Sequence, residues 1–224
     1  FLQKDDFDAD GKLKVDANGE QILPKMSLGT PRPGDTLFKD LNGDGVIDGD
    51  DKTYFGYARH PEYVFGFLGG FSWKNFEFSM QWTAAMNASR ILEGEYRNAF
   101  GSTNSRMLLK FLADGRWTEE NPCSRFPRLT FMNKTHYLED TDLWLMNGSY
   151  LRLKTAEISY TFQNKDFLKK IGVESVRLYC NGYNLLTLFS DLNDIDIDPE
   201  GKTSGGDNTY PNVRIYNFGI NVSF

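Results

Sequence analysis

The densest chemistry in this chain lies in Asp40-Leu-Asn-Gly-Asp-Gly-Val-Ile-Asp-Gly-Asp-Asp51. With Asp40 as position 1, Asn42 is position 3, Asp44 is 5, Gly45 is 6, Val46 is 7, Asp48 is 9 and Asp51 is 12. This is the spacing of an EF-hand loop, with oxygen donors at alternating positions, a backbone carbonyl at position 7 and glycine at the sharp turn. Asp40, Asn42, Asp44, Val46, Asp48 and Asp51 are therefore candidate ligands for a structural Ca²⁺ that stiffens the loop. The closing residue is Asp, not the bidentate Glu, and no helix pair flanks the loop. The competing expectation is a metal-free acidic turn. Four carboxylates grouped without a cation repel one another, which favours calcium. A second acidic run starts similarly at Asp6, Asp8, Asp10 and Gly11, but its twelfth position is Ala17, so a solvated turn is expected there.

No other constellation suggests chemistry. His60 and His136 are isolated. Cys123 and Cys180 have neither metal-ligand spacing nor a disulfide framework. Nothing resembles a nucleophile–base pair or a phosphate loop, so an enzyme is not expected. Lys and Arg number 25 against 31 Asp and Glu, a formal charge of −6 without a basic stripe, and nucleic acid is not an expected partner. The chain has 224 residues and opens on Phe1, without an initiator Met or leader, which suggests a piece of a longer or processed protein. It has no apolar run near the length of a spanning helix. A spanning strand needs only about 9–11 residues, half of them polar.

The elements that must position the loop are strands. Residues 62–73 alternate, with Tyr63, Phe65, Phe67, Phe71 and Trp73 on one face. Lys74-Asn75 reads as a tight turn, and residues 76–86 alternate again, which makes a hairpin. Residues 150–162 alternate with a phase change between Leu153 and Ala156, which predicts a β-bulge near Thr155. Residues 175–187 and 216–224 complete the set. Thr36–Lys39 could form a short strand before the acidic loop. Asn104 could cap a short helix carrying Met107, Leu108, Phe111 and Leu112 and stopped at Gly115, and Asp166–Gly172 reads as one helical turn. Two domains are expected: residues 1–53, an extracellular loop region containing the EF-hand-like stretch 40–51, and residues 54–224, the strands with long external loops at 88–148 and 189–211.

Alternating strands fit either a soluble sandwich or a membrane barrel. Long loops at 88–148 and 189–211 alternate with short connections at 74–75 and 163–174, which puts all the long loops at one end. That sorting favours an outer-membrane barrel with long loops outside. With the C-terminus in the periplasm, the acidic loop falls on the extracellular side. The expected fold is therefore all-β: an antiparallel transmembrane β-barrel segment with long extracellular loops. The alternative is a secreted, calcium-stabilised β-sandwich that binds carbohydrate.

Several runs resemble the C-terminal region of SusC-like (SusC/RagA) TonB-dependent outer-membrane transporters. They are Gly34-Asp-Thr-Leu-Phe-Lys-Asp-Leu-Asn-Gly-Asp-Gly-Val-Ile-Asp-Gly-Asp-Asp-Lys52, Pro61-Glu-Tyr-Val-Phe-Gly66, Gly148-Ser-Tyr-Leu-Arg-Leu-Lys154, Leu178-Tyr-Cys-Asn-Gly-Tyr-Asn-Leu185 and Tyr216-Asn-Phe-Gly-Ile-Asn-Val-Ser-Phe224. The resemblance implies the C-terminal strands of a 22-stranded barrel filled by an N-terminal plug. It also implies a SusD-like surface lipoprotein as lid, TonB-powered import of oligosaccharides or peptides, and an outer-membrane location. The terminal Phe224 fits the family's assembly signal. The expected partners are the remainder of the transporter (plug and other barrel strands), the lipoprotein, the TonB complex through the absent N-terminal part, and outer-membrane lipid. In the long loops Arg116, Trp117, Arg128 and Trp144, with Phe126 beside them, are candidate contacts to substrate or lid, with self-packing of the loops as the alternative.

Overall fold

The computed structural model describes residues 1–26, 29–100, 108–131, 139–163, 166–201 and 212–224. Two compact units form from interleaved stretches of the chain. One comprises the described residues of Phe1–Gly56 and Ile91–Met146, and the other those of Tyr57–Arg90, Asn147–Lys202 and Thr209–Phe224.

The first unit is built mostly of turns. Phe7 bridges to Leu13 and Val15 to Gln21. Asp8 Oδ1 accepts from the backbone N–H groups of Asp10 and Lys12, and Asp16 Oδ1 does the same with Asn18 and Glu20, eight residues on. The acidic run after Asp6 is thus the first of two repeated exposed turns. Leu2, Phe7 and Leu13 are buried together, with Leu23 and Met26 packed on them. Strand β1 (Lys25–Met26) pairs in parallel with β2 (Val46–Ile47), where Ile47 is buried. Thr36–Lys39, expected as a strand, is not one. Helix α1 (Lys110–Asp114) ends at Gly115 as expected and buries Leu112. Asn104 and Met107 of that expected helix, and His136, lie outside the described residues.

The second unit is organised by five antiparallel strands: β3 (Tyr63–Trp73), β4 (Phe76–Met86), β7 (Tyr150–Gln163), β8 (Ser175–Leu188) and β9 (Ile215–Ser223), ordered β3-β4-β7-β8-β9. The intervening short strands β5 (Ser89–Ile91) and β6 (Leu145–Asn147) form a two-stranded sheet. Lys74-Asn75 makes the two-residue hairpin turn, with Lys74 at φ 55°, the left-handed conformation that such turns demand. Gln81 pairs with Thr155 while its neighbour Trp82 pairs with Leu153, so Lys154 is the extra residue of a bulge. That bulge carries the phase change read from the sequence: Leu151, Leu153, Ala156 and Ile158 fall on one face despite their odd and even numbers. The β7–β8 connection contains helix α2 (Asp166–Lys170), which ends before Gly172 at φ 74°.

Register gives the sheet two unlike faces. Trp73, Phe76, Tyr160, Leu178 and Ile220 form one cross-strand row, and Phe71, Phe78, Ile158, Cys180 and Phe218 the next. On this face Trp73 is 65% exposed and Phe218 is 81% exposed. The other face carries Ser72, Glu77, Ser159, Tyr179 and Gly219 in one row and Gly70, Ser79, Glu157, Asn181 and Asn217 in the next.

Two expectations are corrected here. The strands do not make an antiparallel transmembrane β-barrel segment, nor the C-terminal barrel portion of a SusC-like transporter as stated. Among the described residues the sheet is open: β3 pairs only with β4, and β9 only with β8. Closure would require the first and last strands to meet at a fixed stagger, which five strands do not reach. No helix of the described residues is long and apolar enough to cross a membrane, which says nothing of strands.

Candidate functional site

The acidic loop is a closed hydrogen-bonded cage of its own backbone. Asp40 Oδ1 accepts from Gly43 N–H at 2.5 Å and Oδ2 from Gly45 N–H at 2.8 Å. Gly43 and Gly45 sit at φ 79° and 81°, where a side chain would be strained. Asn42 Oδ1 accepts from Asp44 N–H, and Asp44 Oδ1 from Val46 N–H. Asp51 closes the loop: Oδ1 accepts from Leu41 N–H at 2.7 Å and Oδ2 from Asp48 N–H at 2.9 Å. Asp48 in turn accepts from Asp50 N–H. The Asp48 N–H above all, then that of Leu41, holds the Asp51 carboxyl below its ordinary pKa. The loop is anchored where Lys25 N–H donates to the Gly45 carbonyl and β1 pairs β2.

All six predicted ligands therefore share one loop. The donors are hard oxygens, the kind Ca²⁺ takes, and the Val46 carbonyl stands at the seventh position. Each carboxylate oxygen that accepts an N–H keeps a further lone pair. Among the described residues, no three His, Cys, Asp or Glu side chains gather closely enough to hold a metal as they stand. The donor set fits calcium in kind, and convergence on an ion requires rotation of exposed side chains such as Asp44 and Asp48.

The four loop candidates also belong to the first unit. Trp144 is 1% exposed, and its ring stacks 5.7 Å from that of Phe126, itself 2% exposed. Trp117 is 8% exposed and lies directly against Gly34, where an added Cβ would come within 2.4 Å of the indole. Arg128 Nε donates to Asp35 Oδ1 at 2.7 Å, pairing a carboxylate that is fully buried. Arg116 is exposed and donates to the Ala113 carbonyl.

Two polar networks were not read from the sequence. Arg152, 3% exposed, pairs with Asp198 at 2.8 Å and Glu200 at 2.9 Å. Lys154 Nζ and the Tyr150 hydroxyl both donate to Glu200, which fastens residues 198–200 to the polar face of β7. The second network joins Glu77, Glu157, Ser159 and Arg177. The sequence signal was a charged side chain on the polar face of each of β4, β7 and β8, and partner identity depends on which strands become neighbours.

No protein-family profile matches the chain. It is 33% identical over 202 residues to a TonB-dependent receptor of Formosa agariphila, covering 85% of this chain and 20% of that protein. It is 30% identical over 208 residues to a second TonB-dependent receptor of that organism, covering 88% of the chain and 20% of the receptor. TonB-dependent receptor SusC of Bacteroides thetaiotaomicron is 24% identical over 215 residues. Among solved structures, the RagAB peptide transporter superposes with a TM-score of 0.59 at 26% identity, over 80% of this chain and 19% of that one. An open–open state of the RagAB peptide importer gives a TM-score of 0.57, also at 26% identity. The chain thus spans about a fifth of the length of the curated relatives it matches. The similarity to SusC/RagA-type TonB-dependent receptors supports an outer-membrane location, while among the described residues an open sheet stands where that resemblance led to the expectation of a barrel.

Proposed function

We propose that this chain is part of a TonB-dependent outer-membrane importer of oligosaccharides or peptides that works with a SusD-like surface lipoprotein. The observation that carries the proposal is the 33% identity to a TonB-dependent receptor across 85% of the chain. The exposed apolar face of the sheet supports contact with lipid, since a water-facing sheet would not leave Phe71, Trp73 and Phe218 uncovered. The rest of the transporter, plug included, and the TonB complex are the other proposed partners. A secreted sandwich would bury that apolar face against a second sheet, and no observation favours it.

The acidic loop in this proposal is a structural calcium brace on the extracellular side. Asp40, Asn42, Asp44, Asp48, Asp51 and the Val46 carbonyl would hold the ion, which supplies charge neutralisation and no reaction. Affinity in the range of extracellular modules, about 10⁻⁴–10⁻³ M, is expected. Calorimetry on the intact complex should detect Ca²⁺ binding that Asp44→Ala removes, with faster proteolysis of the loop. In the same proposal Arg116 is the loop residue best placed to meet substrate or lid, being exposed.

Function is tested by disrupting the encoding gene in its native host. Uptake of labelled oligosaccharide or peptide should fall, the protein should fractionate with outer membranes, and a surface lipoprotein should co-purify with it. Unchanged uptake of both cargo classes and recovery in the soluble fraction would reject the proposal.

A further inference from the structure

The polar face of the sheet contains a cavity of about 390 Å³ lined by Gly70, Ser72, Glu77, Ser79, Glu157, Ser159 and Arg177, with Phe71 and Phe78 at its margin. It exists because its floor is small. A Cβ on Gly70 would come within 2.8 Å of the Phe78 carbonyl oxygen, and Ser72 and Ser79 fill little space beside it. Its long side chains stand at the rim and are already oriented. Arg177 Nη2 donates to Glu157 Oε1 at 2.7 Å and to Ser159 Oγ at 3.1 Å. Glu157 spends its other oxygen on Asn181 Nδ2 at 3.0 Å. Behind Arg177, the Tyr179 ring lies 5.6 Å away and reaches across to Gly219, where an added Cβ would sit 2.2 Å from the ring. Ser159 is 3% exposed, so this hydrogen-bonding floor is withdrawn from bulk water.

Charge decides what such a cavity takes. Two carboxylates face one guanidinium, whose hydrogen bonds go to Glu157 and Ser159, so the cluster carries one surplus negative charge. Glu77 is the surplus. Its Oε2 is 3.5 Å from Arg177 and 3.4 Å from Ser159 Oγ, both long contacts, and Oε1 has no hydrogen-bond partner among the described residues. An anion would meet Arg177 already neutralised and a net negative rim. A cation would meet a free carboxylate oxygen with serine hydroxyls beside it.

We propose that this cavity is a binding site for an alkyl-guanidinium or alkyl-ammonium group, as carried by an Arg or Lys side chain of a polypeptide, with Glu77 as its charge partner and Arg177 as a built-in competitor for the same carboxylate. The site goes beyond the transport proposal and does not depend on which cargo is imported. It makes a sign-specific prediction: removing the surplus carboxylate weakens cation binding, and removing the competing guanidinium strengthens it.

The test uses the whole protein purified from outer membranes in detergent, with agmatine as the cationic probe and inorganic phosphate as the anionic one. Calorimetric binding of agmatine that Glu77→Gln weakens about tenfold or more, and Arg177→Gln strengthens, supports a cavity open to an external cation. Absence of agmatine binding would overturn the proposal, since the Glu77–Arg177 contact at 3.5 Å by itself makes Glu77→Gln lower the unfolding midpoint in a salt-dependent way. Glu77→Gln is isosteric at a half-exposed position, so its folding is not at issue. Agmatine affinity unchanged by Glu77→Gln would overturn the proposal as well. So would phosphate binding that Arg177→Gln abolishes.

Discussion

Two carboxylate clusters in this protein are held in opposite ways, and each responds differently to change. Asp51 is exposed, and its lowered pKa comes from backbone N–H groups, that of Asp48 first and that of Leu41 next. Those bonds need the ionised carboxylate. The support they give the loop is therefore complete above the ordinary aspartate range and is lost as pH falls through the lowered value. The protection of the Leu41 and Asp48 backbone amides, taken as exchange relative to the intrinsic rate at each pH, should fall as pH drops through that window. In Asp51→Asn, which offers one acceptor oxygen where the carboxylate offers two, the same amides should be less protected at every pH. By contrast, Arg152 is buried between two carboxylates. Arg152→Met would strand Asp198 beside β7, while Glu200 keeps Lys154 and the Tyr150 hydroxyl, at a cost of about 3 kcal/mol. A fall in the unfolding midpoint, together with new protease cleavage near residues 196–200, checks this. If the midpoint were unchanged, the network would be only a surface ornament.

The strands were legible because each alternates over many residues. Residues 62–73, 76–86, 150–162, 175–187 and 216–224, read from period alone, appear as Tyr63–Trp73, Phe76–Met86, Tyr150–Gln163, Ser175–Leu188 and Ile215–Ser223. The bulge was legible for the same reason, since one extra residue reverses the faces of everything after it. Strands β1 and β2 were not, because two residues have no period. The eight-residue turn repeat, Asp8-Ala-Asp-Gly followed by Asp16-Ala-Asn-Gly, is visible in the sequence, but its acidic spacing also starts like a twelve-residue metal loop. Fit between strands belongs to this scale as well. The Tyr179 ring occupies the space over Gly219, so Gly219→Ala should destabilise the β8–β9 pair by about 1–3 kcal/mol through overpacking. Tyr179→Ala in the same protein should recover part of that loss in a double-mutant cycle. Additive effects would mean that the ring moves aside freely.

At the scale of the whole molecule, the unlike faces of the sheet dominate. Large aromatic side chains stand exposed on one side, while small and charged ones line the other. In detergent, replacing Phe71 and Phe218 together with Ser should reduce reconstitution into lipid vesicles and leave the polar-face network intact, measured by flotation with lipid. An undiminished floating fraction would show that the apolar face does not contact lipid. The sorting of long and short connections, which suggested a barrel, is kept by an open sheet equally well. Loop length records which end of a strand a connection leaves, and not whether the first strand meets the last.

By itself, the sequence determined the strand periods, the bulge, the hairpin turn and the ligand spacing of the acidic loop. All of these are local properties, set by residues a few positions apart through backbone geometry and side-chain alternation. Tertiary structure alone decided that the sheet is open, that Trp117 and Trp144 are packed away, and that Arg152 and Arg177 find their carboxylates. Those outcomes join residues tens of positions apart, and pairing register, which no local pattern specifies across a long loop, chooses the partners. The acidic loop stands between the two cases. Its spacing names the donors, and its fold already satisfies them with backbone N–H groups, so it is the cage that an arriving ion must reorganise.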